Sequence, residues 1–516
     1  MSHTADTLPS KRRSAGGGAE PEEQYLLNDL SKNGSPVTIT PSKTNSSSRR
    51  DFEKPLLPPS EPVRLTPAWE DNNLTNDELN FKGVTMETAD LETNPPHDRW
   101  KLVYMTLMLH GVGTLMPWNM FITAKDYFVE YKLGYEYTGV HSEYKTNFLP
   151  YIGLAAQAPN IAFNWLNIFI NIGGNLTTRI VWSIFMEVIA FVFTVALVMI
   201  DTSSWPGIFF AVTMATVVFL NMANGIYQNT VYGMAAKLPG TYTGAVVLGS
   251  NISGAFTAII NIVSIYFTPD SRTAAIYYFI TALFILLACF DTYFALPLNR
   301  FYRYHELVHQ KALASKKQAT SAGNGAPTPY WKIFRQTFPQ LFNVFFIFFI
   351  TLAIFPAVHS DIKVSDPDFP ISSKYYVAVL CFLTFNVSAM VGSSLTSIVQ
   401  WPGTGSLVIP VVLRALFIPA FLLSNYQPMG VTRVLPVLIS NDWAYWTMAI
   451  AMGLSSGYLS SLAMMYCPRM VEPQHAATAG MFGAACLTTG VGAGIAVSSF
   501  MPWIVANVRL PQGLYS

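Results

Sequence analysis

The sequence predicts an all-α membrane protein whose eleven spanning helices form two bundles, six and then five. Three observations carry this. Hydrophobic residues make up 51% of the 516, and charged residues only 12%. The charges are unevenly placed: of the 61 (31 Lys and Arg plus 30 Asp and Glu), 28 lie in residues 1–101, leaving 33 for the other 415. Those 415 are too apolar for one soluble globule. They divide into about eleven stretches long enough to cross roughly 30 Å of hydrocarbon at about 1.5 Å per residue.

Residues 1–100 are a different material. Segments such as "KRRSAGGGAEPEE" and "KTNSSSRRDFEKPLLPPSEP" are rich in Ser, Pro, Gly and both signs of charge. They cannot bury enough apolar area to offset the entropy of ordering, so a disordered cytoplasmic tail is expected. No charged-then-apolar N-terminus resembles a signal peptide, which leaves targeting to the first span. In "EEQYLL" Glu22 stands four residues before Leu26 and Leu27, the spacing of an acidic dileucine signal read by sorting adaptors. The alternative is an inert segment.

The spans are expected at 102–123, 149–172, 180–200, 208–235, 244–267, 274–296, 338–358, 375–399, 407–425, 443–466 and 478–504. The first ends in "GVGTLMPWNMFITAKDYF" (111–128). Pro117 lacks the N–H that would bond the carbonyl of Gly113, so a bend is expected there. The freed backbone groups and Asn119 need polar partners in lipid, which turns this face toward a bundle or cavity. Trp118 is either an aromatic wall for a planar ligand or an interfacial belt tryptophan.

The third span carries Glu187, a candidate proton-linked carboxylate. With His110, Asp291 and Arg414 it makes up the remaining costly ionisable groups, Asp291 lying close to a helix end. The fourth span reads "NMANGIYQNTVYGMAAKLP". Its Asn221, Asn224, Gln228 and Tyr232 share one face, and three amides in two turns favour a hydrated path or ligand site over helix glue. Between spans six and seven, the loop 297–337 carries Arg300, Arg303, Lys311, Lys316, Lys317, Lys332 and Arg335. The excess of positive charge places it in the cytoplasm, between a first bundle at 101–296 and a second at 338–516. In the eighth span Asn386, Ser393 and Ser397 line one face, although hydroxyls there can also satisfy themselves on their own helix. Gly453 with Gly457, and Gly490 with Gly494, have the spacing of helix contacts. Cys289, Cys381, Cys467 and Cys486 lie in or at the ends of spans and suggest no disulfide framework.

No P-loop, zincin, nucleophile-elbow or paired Cys-x-x-Cys pattern occurs, so neither an enzyme nor a cofactor or metal is expected. The layout suits a transporter without its own energy source, its two bundles rocking about a central site for a small molecule. Lipid is its solvent, and no nucleic-acid partner is expected.

Six blocks in order, "GVGTLMPWNMFITAKDYF", "YQNTVYGMAAKLPGTYTGA", "FFITLAIFPAV", "FLTFN", "LRALFIPAFLLSNYQP" and "GLSSGYLSSLAMMYCP" followed by "ATAG", resemble the equilibrative nucleoside transporters (solute carrier 29). "FITAKDY" and "DTSSW" with the dileucine tail look most similar to the lysosomal branch. The resemblance implies a major-facilitator-like fold and sodium-independent passage of nucleosides or nucleobases by alternating access. It implies residence in the plasma membrane or in late endosomal or lysosomal membranes. It also implies substrate contacts at Leu115 and Trp118, with Asn119 beside them, at Gln228 toward the nucleobase, and at Phe355, Asn386 and Val491. One departure concerns the eighth span. Where the family usually has an acid and an arginine against the ribose, this sequence has Ala389 and Ser393. That departure keeps open another planar or cationic organic substrate on the same fold; a further alternative is a membrane receptor or scaffold whose tail binds partners, against which the polar faces of spans one, four and eight argue.

Overall fold

The computed structural model describes residues 95–139, 143–146, 148–170, 175–267, 270–319, 328–428 and 430–509. Glu22, Leu26 and Leu27 lie outside these. In hydrocarbon every backbone N–H and C=O must find a partner within the protein, and a helix provides one at each step. The described residues accordingly form helices, with two isolated β-bridges, Ile362 to Tyr426 and Ser424 to Ile439, in place of a sheet.

The long helices in chain order are α1 (Leu102–Thr123), α2 (Phe148–Phe169), α3 (Leu176–Met199), α4 (Pro206–Ala235), α5 (Gly240–Phe267) and α6 (Ser271–Ala295). A connecting helix, Arg300–Ala319, precedes α7 (Tyr330–Ile354). The last four are α8 (Ser373–Leu395), α9 (Val408–Leu422), α10 (Asp442–Tyr466) and α11 (Ala476–Ser498). Eight of them, α3 to α8 with α10 and α11, are long and apolar enough to cross a membrane. α1 and α2 have 22 residues each but carry His110, Asn119, Asn160, Asn164 and Asn167, which lower their hydropathy. Their lipid-facing sides are plain in α3, where Trp182, Phe185, Ile189 and Phe193 are exposed along one stripe, a surface that water would penalise.

Side chains satisfy the first N–H groups of some helices. Asp98 accepts from the backbone N–H groups of Val103 and Tyr104 at 3.2 and 3.1 Å. Asn441 does the same for Trp443 at 2.8 Å, and Pro206 sits where its missing N–H costs nothing.

Most expected spans match these helices within a few residues, and two details differ. The stretch 297–337 is largely helical: it holds Arg300–Ala319 and the first turns of α7. α7 begins at Tyr330 because its first two turns are amphipathic, with Ile333 and Thr337 buried while Trp331, Lys332 and Arg335 face out; average hydropathy hides such a start. The ninth span is broken into Val408–Leu413, a tighter turn at Arg414–Leu416, and Phe417–Leu422. Pro410 and Pro419 each remove a helical hydrogen bond there. Pro117 lies inside an uninterrupted α1.

α1 packs on α5, α2 and α3 on α4, and α6 on α1 and α3; α7 packs on α10 and α11, and α8 on α10. The first six helices meet the last five along two seams, α4 and α2 against α11, and α5 against α8 and α10. The glycine pairs serve these contacts. A Cβ on Gly457 would lie 1.9 Å from the carbonyl oxygen of Ala389 in α8, and one on Gly490 2.4 Å from that of Phe345 in α7. The apolar core is shared at the end of the molecule near the connecting helix, where Tyr232, Leu238, Tyr242 and Phe301 join Leu459, Met465 and Leu487. At the other end it divides. Met116, Phe121, Phe128 and Phe279 form one cluster within the first six helices, and Ile354, Tyr376, Phe421 and Tyr445 another within the last five.

Candidate functional site

α1, α5 and α8 carry a ladder of polar contacts. Asn119 donates from Nδ2 to Ser253 Oγ at 3.0 Å. One residue along α5, Gly254 leaves room for the Asn386 side chain, whose Oδ1 would lie 2.0 Å from an added Cβ. Asn386 itself donates to the Phe382 carbonyl at 2.8 Å. A turn away, Asn251 donates to Ser393 Oγ at 3.0 Å and reaches the Ala389 carbonyl at 3.4 Å. Ser393 in turn donates to that Ala389 carbonyl at 2.8 Å, the self-satisfied hydroxyl that a serine in a spanning helix can adopt. Asn119, Asn386 and Ser393 are thus brought to one helix, α5, whose own Asn251 and Ser253 the span-by-span reading missed. The signal was there in "GSNISGA", polar residues clustered within an apolar span, but no regular spacing picked out which of them mattered.

Phe355 ends α7 in extended backbone. Its ring stacks on Phe385 of α8 at 4.2 Å between centroids and meets Phe382 edge-on at 5.6 Å, so it joins the ladder as an aromatic wall. Leu115 and Trp118 are half-buried on α1, and Trp118 packs on the cluster of the first six helices.

The α4 stripe is buried throughout. Asn221 spends its amide on the Val217 carbonyl at 2.9 Å. Asn224 Oδ1 and Gln228 Oε1 have no hydrogen-bond partner in the protein, although both residues are nearly fully enclosed. Buried amide oxygens are rarely left this way; water or a ligand donor normally completes them. Val491 is half-buried on α11 against the shared core, on the helix that packs along α4.

Two buried arginines organise the helices around this region. Arg414 donates from Nη2 to Thr351 Oγ1 at 2.8 Å and from Nη1 to the Met452 carbonyl at 3.0 Å and to Ser455 Oγ, tying broken α9 to α7 and α10. Arg179 donates to the Asn167 carbonyl at 2.8 Å and to its Oδ1 at 3.0 Å. Asn167 Nδ2 then donates to Asn229 Oδ1 at 2.9 Å and to Thr230 Oγ1 at 3.0 Å. Asn229 completes the chain by donating to the Met481 backbone carbonyl of α11 at 2.8 Å. Asp291 is exposed.

A family model described as "Nucleoside transporter" matches residues 214–503, more than half the chain. Equilibrative nucleoside transporter 1 of Homo sapiens is 32% identical over 455 residues, which cover 79% of this chain and 98% of that protein. The chain belongs to the equilibrative nucleoside transporter family. Equilibrative nucleoside transporter 3 of Rattus norvegicus is 31% identical, with 73% of this chain and 83% of that one covered. A plant relative, equilibrative nucleotide transporter 8 of Arabidopsis thaliana, is 25% identical, with 79% and 96% covered. Among solved structures, the human organic anion transporter MFSD10 (TETRAN) aligns with a TM-score of 0.42 at 15% identity, covering 79% of this chain and 95% of that chain. As a member of the equilibrative nucleoside transporter family, the protein is a multi-pass membrane transporter and not an enzyme. The cavity bordered by Phe121, Phe128 and Phe209 and the groove beside Phe338 and Thr404 involve none of the residues that resemble the family's substrate contacts.

Proposed function

We infer that the protein carries nucleosides across its membrane by facilitated diffusion, through a site between the first six helices and the last five. The observation that carries this is the pair of unpartnered acceptors, Asn224 Oδ1 and Gln228 Oε1. A buried face whose amide oxygens find no donor within the protein suits a ligand edge bearing N–H groups, and a nucleobase has one. Gln228 takes the base edge, Leu115 and Trp118 flank it, and Phe355 and Asn386 border it from α7 and α8. Val491 borders it from α11. Ser393, held by Asn251, stands where a charged group would be expected, so contacts to the sugar fall to neutral amides and hydroxyls.

In this reading α1, α2 and α9 complete eleven spans with the eight helices named above. The chain then forms bundles at 101–296 and 338–516 in a major-facilitator-like arrangement. The shared core at the connecting-helix end closes that side, and the divided cores at the other leave the bundles free to part there. The basic loop makes the closed side cytoplasmic. Lipid surrounds the bundles. Glu22, Leu26 and Leu27 engage sorting adaptors and divide the protein between the plasma membrane and late endosomal or lysosomal membranes.

The experiment is uptake of labelled uridine and adenosine into vesicles containing the purified protein. Flux that runs down either gradient without sodium is the expected result. No flux for a panel of nucleosides and nucleobases overturns it.

A further inference from the structure

We propose that Glu187 is a proton-binding site within the first six helices, occupied in the conformation described here and emptied when α3, α4 and α6 part during transport. The Glu187 side chain is fully enclosed on α3, and neither of its carboxyl oxygens has a hydrogen-bond partner. No Lys, Arg or His among the described residues hydrogen-bonds to it, whereas other carboxylates there do find cations, as Glu130 finds Lys145 and Glu306 finds Lys237. The helices packed on α3 are α4 and α6. They contribute the buried Tyr227 hydroxyl and the buried Cys289 thiol. Behind them α1 contributes His110, whose Nδ1 lies 2.7 Å from the Tyr227 hydroxyl and whose Nε2 is buried without a partner. Cys289 is turned to the Leu109 carbonyl at 3.4 Å. On α3 itself, Arg179 lies two turns away and spends its guanidinium on Asn167.

Physical chemistry chooses the protonation state. An ionised carboxylate with two unsatisfied oxygens and no cation costs several kcal/mol in such a site. The neutral acid costs no more than a hydrogen bond left unmade. The packed conformation therefore holds Glu187 as the acid, having taken its proton from the aqueous phase. Charging the group requires water, and water requires the walls to separate. Tyr227, the residue before Gln228, lies on α4, which packs on α3, so a displacement of α4 on substrate engagement also disturbs the packing that encloses Glu187. The proton then returns to bulk water, and lower pH favours the packed conformation.

The site rests on the transport reading only for its link to flux, and the test separates the two. In vesicles with equal pH on both sides, uridine exchange by the unaltered protein should change about threefold or more between about pH 5.5 and 8. Glu187→Gln, a permanent mimic of the acid, should flatten that profile. Glu187→Asp should keep it with a shifted midpoint. Other titrating groups are the same in all three proteins, so the difference isolates Glu187. Infrared spectra should show the carbonyl stretch of a protonated carboxylic acid at neutral pH that moves in Glu187→Asp and vanishes in Glu187→Gln. An unaltered profile in well-expressed Glu187→Gln, a flat profile in the unaltered protein, or the absence of the acid band overturns the proposal. If uridine does not move at any pH, the transport reading falls and the infrared band alone decides Glu187.

Discussion

Gln228 combines burial, a helix-facing stripe and an oxygen that nothing in the protein satisfies. Replacing it with Leu keeps the volume and suits a spanning helix, so expression should hold. What is lost is one or two substrate hydrogen bonds, about 1–1.5 kcal/mol each. Nucleoside flux at subsaturating concentration should fall about tenfold, and normal flux at normal expression would make Gln228 packing glue. The residue was legible because three amides at helical spacing are conspicuous in an apolar span. Asn251 and Arg414 show the limit of such reading. Arg414 stood out as costly, yet its partners Thr351 and Met452 are 63 and 38 residues away in sequence. Asn251 acquires its meaning only when α5 is laid against Ser393.

Helices α1 and α5 approach so closely that side-chain volume at the crossing is fixed. A Cβ on Gly249 would sit 1.9 Å from the Met108 carbonyl oxygen, in backbone that cannot step aside. Gly249→Ala should therefore push the pair apart and lower stability by about 1–3 kcal/mol, read as a lower melting temperature in detergent. Gly403→Ala is the control, since nothing lies within 4 Å of its added Cβ, and it should melt like the unaltered protein. Equal melting of the two variants would mean that the crossing yields. The bounds of most helices were legible because lipid demands long apolar runs. Those of α7 and the connecting helix were not, because amphipathic turns average to neutral. Nor was the breaking of α9 legible, since proline is common in spans and Pro117 leaves α1 whole.

Across the molecule, the connecting helix bridges the two groups of helices at the closed end. Glu306 accepts from Lys237 Nζ at 2.9 Å, just beyond the end of α4, and the same helix also lies against Pro473–His475 before α11. Tyr242 stacks on Phe301 at 5.2 Å and its hydroxyl donates to Asp98 at 3.0 Å. Burial holds His305 down from 6.5 to about 4, and burial followed by the Lys237 charge also lowers His309. The docked helix thus binds fewer protons than the undocked one. Docking is at full strength above about pH 6.5 and weakens as pH falls through the lowered values. Hydrogen exchange of residues 300–311, corrected for intrinsic rates, should quicken at about pH 5 relative to pH 7.5. Unchanged protection would exclude the two histidines as the cause. None of this bridging could be read from the chain, where residues 297–337 announce an excess of positive charge. The hydrogen bond from Asn229 to the main chain of Met481 has a consequence for how the gene tolerates change. The acceptor belongs to the peptide unit and survives every codon at 481 except for what the new side chain does to its contact with Gly233. The donor belongs to the side chain, and because position 229 must also accept from Asn167 it needs a group that does both at that reach, which favours asparagine. A library of all substitutions should therefore record a lopsided pair, one site nearly invariant and its partner limited by size and polarity.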